Sequence, residues 1–170
     1  IAPSGFMRSK LLEGGWPESK VITMQNFASD ETVARARTLN DDVTDYDSPY
    51  LLFFGRLSKE KGIDTLVEAF LSVINLIPKT WRLAIVGDGP DREVIEEVLA
   101  KSPDAERVEL VGFQQGEALQ RYVERASLAI VSSRCRENMP YSIVEAFTAG
   151  TPVIGTCIGG IPELVVEGKT

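Results

Sequence analysis

Apolar positions recur along this chain in two rhythms. Short continuous apolar runs stand at Tyr50–Phe54, Leu83–Val86, Val108–Val111, Leu128–Val131 and Pro152–Ile154. Runs of this length without polar alternation mark strands buried on both faces. Between them the period lengthens. Ile63, Leu66, Val67, Phe70, Ile74 and Ile77 follow i, i+3, i+4, i+7 spacing, as do Val94, Ile95, Val98 and Leu99, which predicts helices with one apolar face. Buried strands alternating with amphipathic helices predict an α/β fold whose parallel sheet is covered on both sides.

The first part of the chain reads differently. Ser4 is a candidate N-cap, Met7, Leu11 and Leu12 supply helical spacing, and Gly14-Gly15 ends the helix. Val21–Met24 predicts a brief strand. From Ser29 to Ser48 the composition shifts to Asp, Thr, Arg and Asn, as in a linker. Asp45-Tyr46-Asp47 within it matches a metal-holding Asp-x-Asp pattern. No buried strand precedes it to set its geometry, and a solvated acidic linker is the better reading.

Polar residues gather where the strands end. The first strand runs into Gly55-Arg56, with Lys59 and Lys61 beyond; the second into Gly87-Asp88-Gly89-Pro90; the third into Gly112-Phe113. The fourth meets Ser132 through Glu137, and the fifth leads to Gly155 and Gly159-Gly160-Ile161-Pro162-Glu163. The carboxyl ends of parallel strands form one edge, where open α/β sheets bind ligands.

At that edge, the run from Ser132 to Phe147 is the centre of the reading. It joins a buried strand to a helix, and Pro140 suits the first helical turn because its missing N–H has no helical partner there. Glu137 lies in the turn and Glu145, eight residues on, in the second turn of the helix. Both can face a ligand seated over the helix N-terminus. An acid early in a helix also complements the helix dipole, so Glu145 reads equally as structural. Glu137 has no evident structural task. Tyr141 shares a helical face with Glu145 and reads as core or rim.

The remaining loops admit two readings each. Gly55 through Gly62 carries Arg56, Lys59 and Lys61 ahead of a helix, where a planar fork and point charges can clamp a diphosphate; the alternative is a solvated basic turn. The Gly-Lys-Ser/Thr ending of a P-loop is missing. Gly87-Asp88-Gly89-Pro90 resembles part of a dinucleotide fingerprint, but Arg92 stands at the third glycine, and a tight turn fits better. Gly159-Gly160 lets backbone approach a phosphate or sugar closely, or simply makes a turn.

Composition narrows the classes. A net charge of −7 argues against a broad nucleic-acid face. The chain has no histidine, which excludes Ser-His-Asp triads and His-ligated zinc within it. Two cysteines, Cys135 and Cys157, make no metal framework and suit a reducing compartment. No signal peptide or membrane-length apolar run is evident. The chain begins at Ile1 and stops at Gly168-Lys169-Thr170 without a closing helix, as an excised piece of a longer protein would.

Five ordered motifs together resemble a known family: Gly55-Arg56 … Lys61-Gly62; Val86-Gly87-Asp88-Gly89-Pro90; Val111-Gly112-Phe113; Glu137-x7-Glu145-Ala146; and Gly150-Thr151-Pro152-Val153-Ile154 … Gly159-Gly160-Ile161-Pro162-Glu163. From about Tyr50 to Gly168 they resemble the retaining GT-B glycosyltransferases of family GT4. The resemblance implies a Rossmann-like parallel sheet with helices on both faces, the C-terminal half of a GT-B fold. Residues 1–47 would be the end of the N-terminal domain and the linker; residues 48–170 would be the donor-binding domain, truncated at its C-terminus.

The same resemblance implies roles. Arg56 and Lys61, with Gly55, would hold the donor diphosphate and stabilise the leaving nucleotide without a metal or other cofactor. Glu145 would accept from the ribose hydroxyls, and Glu137 would sit beside the donor sugar. Amides of Asn138, Met139 and Tyr141 would contact sugar or phosphate; Gly87 would belong to the donor cleft, and Gly112-Phe113 would meet the base. Many members have glycine where Pro140 stands, which removes one amide contact. The expected partner is a nucleotide sugar (UDP-, GDP- or ADP-linked), with an acceptor glycan, lipid or small molecule held mainly by the missing domain. No nucleic acid is expected. The expected setting is cytoplasmic, including the cytoplasmic membrane face for the full-length protein. Two alternatives remain: a non-catalytic nucleotide-sugar-binding or regulatory module, and a GT-B-fold sugar-nucleotide epimerase.

Overall fold

A computed structural model of the chain describes residues 1–28, 33 and 48–168. Its centre is a five-stranded parallel sheet built from β1 (Tyr50–Phe54), β2 (Arg82–Val86), β3 (Val108–Gly112), β4 (Leu128–Val131) and β5 (Val153–Gly155), in the order β3-β2-β1-β4-β5. The helices are α1 (Gly5–Glu13), α2 (Ile63–Ser72), α3 (Arg92–Ala100), α4 (Gly116–Arg125) and α5 (Tyr141–Thr148). This is the α/β parallel sheet that the two rhythms predict, with the Rossmann-like form that the resemblance implies.

The apolar runs work because successive strand residues point to opposite faces. Leu52, Phe54, Ala84, Val86, Ala129 and Val131 pack on one side with Val123 of α4 and Ile143 and Ala146 of α5. Phe53, Leu83 and Ile85 pack on the other with Ile63, Leu66, Val67 and Phe70 of α2 and Ile95 and Leu99 of α3. A strand sandwiched between two helical layers has no solvent face, so it needs no polar alternation.

Two expectations change. The helix drawn through Ile74 and Ile77 stops at Ser72. Ile74 is still buried, but its carbonyl accepts from Arg107 Nη1 at 2.8 Å, and Arg107 also donates to the carbonyls of Pro78 (2.8 Å) and Trp81 (3.0 Å). This guanidinium is buried ahead of β3, over the Phe70 ring, and gathers the carbonyls of the turn after α2, where Pro78, which has no N–H, could not have bonded Ile74 O within a continued helix. The expected strand at Val21–Met24 reduces to a single parallel bridge between Ala2 and Thr23. In α1 the predicted cap holds, with Ser4 Oγ accepting from the Met7 amide at 3.1 Å. Asp45-Tyr46-Asp47 lies outside the described residues.

Glycine geometry brings the loops after β1 and β2 together. Gly87, at φ +149°, lies so close to Gly55 that a Cβ would fall 1.8 Å from the Gly55 carbonyl oxygen. The strand-end amides then interlock: Gly55 N donates to Val86 O (3.0 Å), Leu57 N to Asp88 O (2.9 Å) and Gly87 N to Gly112 O (2.8 Å).

Replacing Arg107 by Ala leaves three carbonyls short of a charged donor. It should cost about 2–3 kcal/mol, a fall of about 5–10 °C in the melting midpoint for a domain of this size. Arg107→Lys, which keeps the charge but loses the fork, should fall between the two. Thermal unfolding followed by circular dichroism measures all three; an unchanged midpoint in Arg107→Ala would refute this account of the turn.

Candidate functional site

The strand order reverses direction between β1 and β4, and a crevice opens outside their carboxyl ends, the position at which doubly wound sheets take ligands. A cleft of about 850 Å³ occupies it. The loop after β1 forms one wall with Gly55, Arg56 and Lys61; the loop after β4 forms the other with Ser133 and Glu137 through Pro140. Tyr141 and Glu145 of α5 close one side, and Gly87, Asp88 and Phe113 close another.

The two walls are tied below the cleft. Ser132 Oγ donates to Lys61 O at 2.8 Å, and the amides of Arg134 and Cys135 donate to Glu60 O at 2.8 and 3.2 Å. Arg134 adds an ion pair to Asp64 in the first turn of α2 at 3.0 Å. These bonds fix the separation of Lys61 from Glu137, seventy-six residues apart in sequence.

Lys61 Nζ and Glu137 Oε1 stand 2.5 Å apart, with side-chain exposures of 33% and 15%. Glu137 thus has the structural task that its sequence did not reveal. The same carboxylate accepts from Ser133 Oγ at 2.8 Å. Burial alone pushes the Glu137 carboxyl up, but hydrogen bonds from Lys61 and Ser133 and the Lys61 charge outweigh it and hold the group below the usual carboxylate range. Glu145 is the opposite case. Burial within the concave wall pushes its carboxyl up, although the residue as a whole remains accessible to solvent. Two carboxylates eight residues apart therefore have opposed protonation tendencies. Cys135, beside Glu137, is pushed up by burial and by that neighbouring charge.

The backbone of the second wall carries unspent donors. The amides of Asn138 and Met139 reach no protein acceptor among the described residues, and those of Tyr141 and Ser142 begin α5, where a helix has no internal acceptor for them. Pro140 immediately precedes the helix rather than opening it.

Of the residues singled out from sequence, Gly55, Arg56, Lys61, Gly87, Phe113, Glu137, Asn138, Met139, Tyr141 and Glu145 all border this cleft. Gly112 is not among the lining residues; it ends β3, where its carbonyl accepts from Gly87. Pro3 and Asn26 border the cleft without having been anticipated as site residues. Their contribution depends on residues 1–28 folding back onto the sheet edge, which no local pattern reports. Among the described residues no three His, Cys, Asp or Glu side chains are grouped as a metal would require, and no helix is long and apolar enough to cross a membrane. Both cysteines are free thiols.

Known proteins resemble this chain in sequence and fold. Residues 48–170 match the model of the family described as glycosyl transferases group 1. The chain is 27% identical over 159 residues to an alpha-D-kanosaminyltransferase of Streptomyces kanamyceticus, covering 91% of this chain and 41% of that protein. It is 32% identical over 179 residues to a GDP-mannose-dependent alpha-(1-6)-phosphatidylinositol monomannoside mannosyltransferase of Mycolicibacterium smegmatis, covering 98% of this chain and 46% of that one. The chain thus spans less than half the length of these relatives. Among solved structures, Anabaena HepE in complex with UDP-glucose superposes with a TM-score of 0.76 at 22% identity, over 99% of this chain and 47% of HepE, which is a likeness of fold. With the matching segment covering the whole sheet and both walls of the cleft, the chain belongs to the glycosyl transferases group 1 family.

Proposed function

We propose that this chain is the donor-binding half of a glycosyltransferase that moves a sugar from a nucleoside-diphosphate donor to an acceptor hydroxyl with retention of anomeric configuration. The observation that carries the reading is the cleft at the switch point, where Arg56 and Lys61 from the loop after β1 meet Glu137, Glu145 and unspent amides from the segment after β4. Residues 1–47 are then the end of a preceding domain and its linker, and residues 48–170 the donor unit. Family membership and the solved complexes of HepE with UDP and UDP-glucose support a nucleotide sugar as the ligand.

In this reading the diphosphate lies between Arg56, Lys61 and the amides that begin α5. Glu145 accepts from the ribose hydroxyls, Phe113 borders the base, and Glu137 borders the sugar. The bond between the anomeric carbon and the diphosphate oxygen breaks while the acceptor hydroxyl adds to the same face. The acceptor proton passes to the departing phosphate oxygen. Charge builds on that oxygen as the bond lengthens, and Arg56 and Lys61 stabilise it most at that moment, which lowers the barrier. No metal or other cofactor takes part in the scheme. Lys61 is engaged by Glu137 in the free chain, so an arriving diphosphate shares a cation already held in position. The pair is thereby a preorganised clamp rather than a charge recruited from solvent. The acceptor is bound mainly outside this chain.

Calorimetric titration with UDP, GDP and ADP and their glucose or mannose conjugates tests the donor site. One nucleotide class should bind at micromolar to low-millimolar affinity, and Arg56→Ala and Glu145→Gln should each weaken it about tenfold or more, of the order of the charged or bidentate contacts removed. The Glu145 variant carries a second expectation. Because burial raises its folded-state pKa, Glu145 contributes stability that is present at low pH and lost as pH rises through that raised value. Replacing it by Gln should therefore leave the chain at least as stable at pH 7 while donor binding falls. Weakened binding together with a large loss of stability would instead mark Glu145 as structural.

Glu137 has the opposite sign. Its lowered folded-state pKa means that the clamp adds stability above about pH 4.3, the unfolded carboxylate value, and that this is lost as pH falls through the lower folded value. Glu137→Gln should cost about 1 kcal/mol at pH 7, since the pair remains partly open to solvent. Denaturant unfolding from pH 7 to pH 2 should show wild type and variant converging at the acid end; a constant gap would contradict the role assigned to the charge.

A further inference from the structure

The loop from Glu137 to Pro140 is held on two sides. On one side Gly160 N donates to Glu137 O at 2.7 Å, and the backbones approach so closely that a Cβ on Gly160 would fall 1.9 Å from Asn138 O. On the other side stands Asn26. Its Nδ2 donates to Met139 O at 2.8 Å, and its backbone amide points at Met139 Sδ at 3.1 Å. Two carbonyls of the loop are thus bonded, to Gly160 and Asn26, while the amides of Asn138 and Met139 have no protein acceptor among the described residues. Because a peptide unit is planar, the bond to Glu137 O fixes the Asn138 amide. The bond to Met139 O fixes the Met139–Pro140 unit, which carries no N–H, and the proline ring then passes that orientation to the Tyr141 amide that begins α5.

Asn26 is itself anchored through a chain of contacts that returns to the same glycine motif. Glu163 accepts from the amides of Gly5 and Phe6 at 2.8 and 2.6 Å, capping α1 across 158 and 157 residues. Just before α1, Ala2 N donates to Ile22 O at 2.8 Å and Ala2 O accepts from Met24 N at 2.9 Å. These bonds set the segment that ends in Asn26. The Gly159–Glu163 motif therefore grips the loop directly at Glu137 and indirectly through α1, the Ala2–Thr23 bridge and Asn26.

Resting on the donor-site reading above, we infer that Asn26 is a positioning residue for the donor: by holding the Met139–Pro140 peptide unit it aims the backbone on either side of that unit, at Met139 and Tyr141, toward the diphosphate and sugar. Only the amide nitrogen of Asn26 can serve, because a carbonyl accepts and does not donate. The nucleoside end of the donor lies against Glu145 and Phe113 and is indifferent to Asn26. The loss should therefore fall on the phosphate–sugar end alone.

The experiment uses Asn26→Ala and the isosteric Asn26→Asp, which preserves size but turns an oxygen toward the Met139 carbonyl. Calorimetric titrations compare the nucleotide sugar that wild type binds with the matching nucleoside monophosphate, and thermal midpoints are measured alongside. Both variants should lose about tenfold in affinity for the nucleotide sugar and less than twofold for the monophosphate, with Asp no better than Ala. Asn26→Asp keeps the test available should Asn26→Ala fail to fold. Equal losses for both ligands would show a general structural effect and overturn the inference, as would unchanged affinity in both variants or full function in Asn26→Asp. Wild-type protein binding none of the nucleotides would remove the donor-site reading itself, and this inference with it, which is a different result from variants that match a binding wild type.

Discussion

The order of the sheet is the constraint on which this molecule depends. From β1 the chain builds outward through β2 to β3, then returns to the other side of β1 and builds outward through β4 to β5, so the loops after β1 and β4 diverge above the sheet. Strand-end residues Phe53, Phe54, Val86, Ile130 and Val131 line the gap between them, together with groups that strands and helices leave over at their ends: strand-end glycines, first-turn amides and the charged residues of the joining loops. That is why an acidic chain can present Arg56 and Lys61 together in one place. The local geometry of the switch point concentrates what the composition dilutes.

Within the gap, opposed environments divide the work of two carboxylates. Glu137 faces a cation and a hydroxyl and is held in its charged form. Glu145 faces mostly uncharged wall and is held less readily so. In the proposed reaction this suits a charged group beside developing positive character at the sugar and an acceptor for neutral ribose hydroxyls farther off. The Lys61–Glu137 pair also illustrates why a partly buried ion pair need not be read as a stability device. In the proposed reaction its gain in stability is small beside the value of a cation held still where negative charge would develop.

Glycine permits the approach of backbones on which the cleft rests. At Gly87 and Gly160 a single added methyl group would collide with a neighbouring carbonyl. Packing of this kind cannot be relaxed by choosing another rotamer, since the backbone fixes the position of a Cβ and the atom it would meet is a main-chain oxygen. It also joins the two ends of the chain, for the motif that approaches Asn138 carries Glu163, and Glu163 caps α1.

By itself the sequence determined the sheet, the strand boundaries to within a residue or so, the cap of α1 by Ser4, and the edge at which polar loops collect. These follow from periodicity and from local hydrogen-bonding capacity, which act over a few residues. It also marked Arg56, Lys61, Glu137 and Glu145 as chemistry-bearing. Only the tertiary structure decided that Lys61 and Glu137 touch, that Arg107 gathers the carbonyls of the turn after α2, that Val21–Met24 makes one bridge and no strand, and that Asn26 reaches the cleft. Each of these is a contact between residues about twenty or more apart in sequence. A hydrogen-bond donor carries no local sign of which distant acceptor it will meet, because that choice is made by the packing of the sheet and its helices around it.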